Sequence, residues 1–155
     1  MPRDRGFTLM ELIVVLTVGA VIVTLGTLGL SGYVQRSAAR QAAQIFAQDL
    51  VAARSFAMRS QEPVVVRFYE TGRWYEVRGQ SSATEIARRR FGGGGDIDLE
   101  ALSLDTAGDT LVVDPRGMMD MSGASGALGT ASFSSGAVTY TVSFNGMGAS
   151  KIDQT

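Results

Sequence analysis

Residues 7–30, FTLMELIVVLTVGAVIVTLGTLGL, form an apolar run of 24 residues whose one charge is the carboxylate of Glu11. As a helix the run spans about 36 Å, enough to cross a hydrocarbon core of about 30 Å. Ahead of it lies the polar segment Met1-Pro2-Arg3-Asp4-Arg5-Gly6, whose arginines favour a cytoplasmic N-terminus with the rest of the chain across the membrane. A secretory signal peptide fits poorly, because the apolar region is long and the small pair Ala38-Ala39 lies well beyond it, between Arg36 and Arg40. A plain single-span anchor leaves Glu11 to reach for the interface. A charge inside a span costs about 2.5–3.5 kcal/mol on insertion scales, and such groups are usually functional and partnered.

The chain has no Cys and no His. Disulfides, His- or Cys-ligated metals and Ser-His-Asp or Cys-His catalysis are therefore excluded. Ser–Lys chemistry would depend on Lys151 alone, close to the C-terminus, and no cofactor motif is present, so the chain reads as a non-enzyme. Charge is divided: residues 31–90 hold ten Arg against five acids, and residues 91–155 hold two basic groups against eight acids. Such a division fits two solvated faces, or subunits that meet with opposite sign.

Beyond Leu30 the pattern turns amphipathic. Ala39, Ala43, Phe46, Leu50, Ala53 and Ala57 recur at helical spacing, widened by Ala42, Ile45, Ala52 and Phe56. No breaker other than glycine precedes Pro63, so one helix is expected from Phe7 to about Arg59, with local unwinding conceivable at Gly26, Gly29 and Gly32. Strands follow. A hairpin of residues 64–70 and 74–79 turns at Thr71-Gly72-Arg73, with Val64, Val66 and Phe68 on one face. Further strands are expected at 86–91, 96–100, 111–113, 130–133 and 137–144. Asp114-Pro115-Arg116-Gly117 reads as a turn, 118–129 as a loop, and Asn145-Gly146-Met147-Gly148 as a turn into a last short strand. The fold class is α+β, a long helix packed on an antiparallel sheet domain. The expected division is 1–6, 7–30, 31–61 and 62–155.

The segment Gly6-Phe7-Thr8-Leu9-Met10-Glu11-Leu12-Ile13 resembles the N-terminal signal of type IV pilins and type II secretion pseudopilins. That resemblance implies cleavage between Gly6 and Phe7 by a prepilin peptidase and methylation of the new Phe7 amine. It also implies that Glu11 pairs with an N-terminal amine during assembly, in register with the neighbouring subunits. The protein would start in the inner membrane as a single-pass chain, its C-terminal domain periplasmic, and pass into a pilus or pseudopilus with other pilins. The hairpin after the helix, the turn at 113–117 and the closing strand with its glycine turn resemble the GspH/FimT branch of minor pilins, subunits that help initiate or cap a filament. The lack of a proline in the inner half of the helix departs from many major pilins.

Three features away from the N-terminus offer candidate sites. Arg88, Arg89 and Arg90 could meet nucleic acid phosphate, as a minor pilin taking up DNA requires, or lie on a solvated edge strand. Some FimT-like proteins bind DNA through a basic C-terminal end, whereas this one offers Lys151 alone there. Asp96, Asp98 and Glu100 would share one face of a strand and could hold Ca²⁺, although their spacing matches no calcium loop. Gly92–Gly95 lacks the Lys-Ser/Thr ending of a phosphate loop.

Overall fold

An uninterrupted helix, α1, covers Leu9–Ser60, 52 residues. It ends where Gln61 turns to φ 55°, the left-handed C-terminal conformation, two residues ahead of Pro63. The Gln61 side-chain amide donates to the Met58 carbonyl at 2.6 Å, satisfying one of the last free acceptors. The computed structural model describes residues 8–92, 97–122, 124 and 126–155, the side chains of 25–31 excepted. Of the three glycines considered for unwinding, Gly26 and Gly29 belong to that excepted stretch, and the backbone is helical throughout α1.

The chain divides into two compact units, Met1–Val34 and Gln35–Thr155. In the first, none of the described residues 8–24 and 32–34 is buried, and large apolar side chains such as Leu9, Leu16 and Val23 are exposed. Among the described residues no helix is long and apolar enough to cross a membrane; the apolar run is described with its side chains from Thr8 to Thr24 only.

The second unit packs the remainder of α1 on two antiparallel sheets. The strands are β1 (Val64–Tyr69), β2 (Trp74–Gly79), β3 (Glu85–Arg90), β4 (Ala101–Leu104), β5 (Thr110–Val113), β6 (Met119–Asp120), β7 (Gly129–Ser135), β8 (Val138–Phe144) and β9 (Ser150–Gln154). One sheet runs β3-β2-β1-β5-β6 and the other β4-β7-β8-β9. Alternation sets their inner faces: Val64, Val66 and Phe68 of β1, Leu111 and Val113 of β5, Ala131 and Phe133 of β7, and Val142 and Phe144 of β8 are all buried. The helix contributes the expected stripe, with Ala39, Ala43, Phe46, Leu50, Ala53 and Ala57 all inside. Phe46 is its centre. Its ring meets Phe68 at 5.3 Å and Tyr75 at 5.4 Å on one sheet, and Phe133 at 5.5 Å and Phe144 at 6.4 Å on the other. Truncating such a ring costs about 3–5 kcal/mol.

Four expectations need correction. Ala52 is exposed, one helical position off the buried stripe. Of the expected strand at 96–100, the described residues 97–100 form none: Ile97 makes an isolated parallel bridge to Phe91, and Asp98 and Leu99 belong to no strand. Pairing with β7 begins at Glu100, whose N–H donates to the Ser134 carbonyl at 2.9 Å, and continues as β4. The expected loop at 118–129 includes β6, which pairs with β5. The first strand of the hairpin near 130–144 is longer than expected and the second starts one residue later, with Ser135 paired to Val138 and a tight Gly136-Ala137 turn.

Candidate functional site

The N-terminus of α1 is fixed by Thr8. Its Oγ1 accepts the Glu11 N–H at 3.2 Å, while its carbonyl accepts from Glu11 and Leu12 at 3.1 and 3.2 Å. Thr8 and Glu11 stand at the spacing of a capping box, of which only the Thr8 half is formed; this cap starts the helix at Leu9 and puts Glu11 in the first turn. There the positive end of the helix dipole favours a carboxylate. Among the described residues the Glu11 carboxylate has no hydrogen-bond or ion-pair partner, so its charge is available to one from elsewhere. Gly6 and Phe7 lie outside the described residues.

The arginine run lies on β3, at the edge of its sheet as expected, but its members are not a free basic cluster. Arg89 donates from Nε and Nη2 to the two oxygens of Asp49, at 2.9 and 3.0 Å. Asp49 is buried on the inner face of α1 and also accepts the Tyr75 hydroxyl at 2.7 Å. Burial first, and the Asp49 charge second, push the Tyr75 phenol well above its ordinary range. The hydrogen bonds to Asp49 hold the Arg89 guanidinium still more firmly protonated. Arg88 meets Glu85 at 2.9 Å and the buried Glu76 at 3.4 Å, with its guanidinium 5.5 Å from the centre of the Trp74 ring. Of the three, Arg90 alone has no partner among the described residues.

Lys151 lies on β9, in the other sheet, and pairs with Asp153 at 2.8 Å, so the fold does not join it to the arginines in one sheet. Asp98 and Glu100 lose the shared strand face on which a Ca²⁺ reading rested, and Asp96 lies outside the described residues. Among the described residues no three metal-ligating side chains converge.

Asp49 is the residue that the sequence reading passed over. Its signal was local, a carboxylate three residues beyond Phe46 and adjacent to Leu50, hence on the apolar side of the helix. A buried carboxylate there requires a cation from another element.

Two family models match the chain. One, described as the prokaryotic N-terminal methylation motif, covers residues 1–27, and the other, described as type II transport protein GspH, covers residues 42–148. No curated protein matches the sequence. Among solved structures, the type IV minor pilin FimU of Pseudomonas aeruginosa aligns with a TM-score of 0.56 at 14% identity, over 76% of this chain and 90% of that one. The minor pseudopilin EpsH from the type 2 secretion system of Vibrio cholerae aligns with a TM-score of 0.50 at 18% identity, over 75% of this chain and 96% of that one. At these identities the likeness is one of fold.

Proposed function

The chain belongs to the family described as type II transport protein GspH, and from that premise we propose that it is a low-abundance subunit that helps initiate or cap a filament of pilin-like proteins. Minor pilin or pseudopilin is the function that its family carries, joined here to an N-terminal methylation motif and a pilin fold. The observation that carries the filament reading is the contrast between the two units. The second has a closed core around Phe46, while the described first unit exposes its apolar side chains and has nothing of its own to cover them. Such a surface is stable in lipid or against other helices like itself.

In this reading a prepilin peptidase cuts between Gly6 and Phe7, the Phe7 amine is methylated, and the precursor waits in the inner membrane with its C-terminal domain in the periplasm. Cleavage removes Arg3, Asp4 and Arg5 and creates an ammonium four residues before Glu11. A carboxylate and an ammonium are each costly to bury alone, so a subunit whose Glu11 meets a neighbour's amine is favoured over one out of axial register. Glu11 then sets assembly, not catalysis. A role in DNA uptake draws little support from the arginine run, since Arg88 and Arg89 are already paired with carboxylates.

Intact mass of the membrane-extracted protein tests the reading. The expected chain starts at Phe7 and carries one additional methyl group. A mature protein beginning at Met1, or beyond Ala39, would refute it.

A further inference from the structure

The outer face of the five-stranded sheet carries a cleft of about 350 Å³ between β1, β2 and the loop that leads to β3. Strand alternation builds it. With Val64, Val66 and Phe68 buried in the core, Val65 and Arg67 of β1 face outward; in the ladder Arg78 stands opposite Val65, and Glu76 opposite Arg67. All four line the cleft, together with Gln80 and Ala83 from the loop. The loop is pinned in place. The Ser82 N–H donates to the Glu62 carboxylate at 2.9 Å, the Gly79 N–H to the Thr84 carbonyl at 2.9 Å and the Gln80 N–H to the Pro63 carbonyl at 2.8 Å. Ala83 is held at φ 54°, a left-handed conformation uncommon for alanine and of the kind that proteins keep at ligand-binding segments.

The charges in this cleft do not balance. Glu76 lies on the outer face yet is only 5% exposed, and its oxygens are already engaged. Oε1 accepts the Tyr69 hydroxyl at 3.0 Å, and Oε2 receives Arg88 at 3.4 Å. Arg78 Nη1 stands 3.9 Å from Oε1, beyond hydrogen-bond distance, so its donors stay open. Arg67 faces the same carboxylate across the ladder, but it is exposed and has no hydrogen-bond or ion-pair partner among the described residues. The lining thus sets two guanidinium groups against one carboxylate, a surplus of one positive charge.

We propose that this cleft binds a carboxylate on a short apolar stem, held by Arg67 and Arg78. Guanidinium forks match the planar oxygens of a carboxylate and also bind phosphate. The surplus charge decides between them. One carboxylate neutralises it, whereas a phosphate group of about −1.5 to −2 overshoots it beside the Glu76 carboxylate. Val65, Ala83 and the methylene stems of the two arginines supply the apolar lining for the stem of the ligand. A free short-chain acid and the acidic side chain of another protein share this chemistry, and the test separates them. The inference stands apart from the filament reading above.

The test uses the full-length protein in detergent micelles, with propionate as the probe because it carries the carboxylate and stem of a glutamate side chain. Saturation-transfer NMR should show saturable binding of propionate and none of propionamide, its neutral counterpart. Arg67→Gln removes an exposed, unpartnered charge, so the fold should survive while the dissociation constant rises at least tenfold. Ala83→Asp is the second variant. Aspartate accepts the left-handed backbone better than alanine does, and it places a carboxylate of the chain itself in the cleft, so propionate binding should disappear. Inorganic phosphate should displace propionate only at higher concentration than acetate does. No saturable binding of propionate, equal binding of propionamide, or unchanged affinity in both variants would overturn the site, and displacement by phosphate ahead of acetate would overturn its preference for a carboxylate. Co-purification from native membranes then identifies the source. A protein held by wild type and lost from Arg67→Gln supplies the carboxylate as a side chain, whereas an unchanged set of partners assigns the cleft to a free acid.

Discussion

Arg89, on an edge strand, grips Asp49, on the buried face of the long helix, through two parallel bonds of 2.9 and 3.0 Å. The pair ties α1 to β3, while the Tyr75 hydroxyl brings β2 to the same carboxylate. Removing one member of a fully buried pair costs about 3–5 kcal/mol. The Arg89 side chain is 46% exposed and can turn to water, which lowers that figure. Asp49→Ala should therefore destabilise the second unit by about 2–3 kcal/mol, read from urea unfolding of residues 31–155. A loss below about 0.5 kcal/mol would mean that the clamp contributes no more than an ordinary surface pair.

The burial of Tyr75, and after it the charge of the same carboxylate, makes stability depend on alkaline pH. Tyr75 is held protonated in the folded state, above the value of about 10 for a phenol in the unfolded chain. Its contribution is complete below about pH 10 and declines as the pH rises past that point, because the unfolded chain releases this proton first. Stability should fall above pH 10 by up to about 1.4 kcal/mol per pH unit from this residue. Tyr75→Phe should be less stable at neutral pH and show a shallower alkaline decline, measured by thermal unfolding between pH 8 and 11. An unchanged alkaline slope would remove Tyr75 from the account.

Residues 31–155, expressed alone, should fold as a soluble monomer. The stripe of α1 in the second unit is already covered by both sheets, with Phe46 enclosed by rings from each. Circular dichroism should show helix together with sheet, and size-exclusion chromatography a single monomeric peak. An aggregated product, or helix without sheet, would contradict this division of the chain.

The parts of this fold that were legible in the sequence are those set by local rules. The 3.6-residue stripe from Ala39 to Ala57 and the stop before Pro63 defined the outer helix. Valine alternation around Thr71-Gly72-Arg73 defined the first hairpin. What escaped depends on partners far along the chain. Apolar residues fall at 97 and 99 and then at 102 and 104, so the alternation slips by one residue. Only the second phase matches β7, some thirty residues on, and the strand forms there. Asp49 escaped because its counter-charge, Arg89, stands forty positions later in the chain. The arginine run stayed open between two readings for the same reason, since composition counts charges without showing which are already paired.

Affinity for DNA should be negligible at physiological salt. With Arg88 and Arg89 committed to carboxylates, phosphate would have to displace Glu85 and Glu76 from one and the buried Asp49 from the other. A duplex-binding titration of residues 31–155 at 50 and 150 mM salt checks this. Micromolar or tighter binding that weakens steeply with salt, and whose salt slope flattens when all three arginines become Ala, would reverse the conclusion.

Glu11→Ala separates processing from assembly. The variant keeps Gly6, Phe7 and the apolar run, so it should insert, be cleaved and be methylated as before. Losing a charge should ease insertion by about 2–3 kcal/mol. The helix start should also survive, because Thr8 caps it through the Glu11 backbone N–H and not through the side chain. Assembly should suffer instead, since each Phe7 ammonium entering the filament would lack its counter-charge. A buried charge deprived of its partner costs about 3–5 kcal/mol, and at about 1.4 kcal/mol per tenfold that suppresses incorporation roughly a hundredfold or more. Mature mass and co-purification with partner pilins are compared between variant and wild type. Normal processing with wild-type incorporation would show that Glu11 is not the partner that sets register.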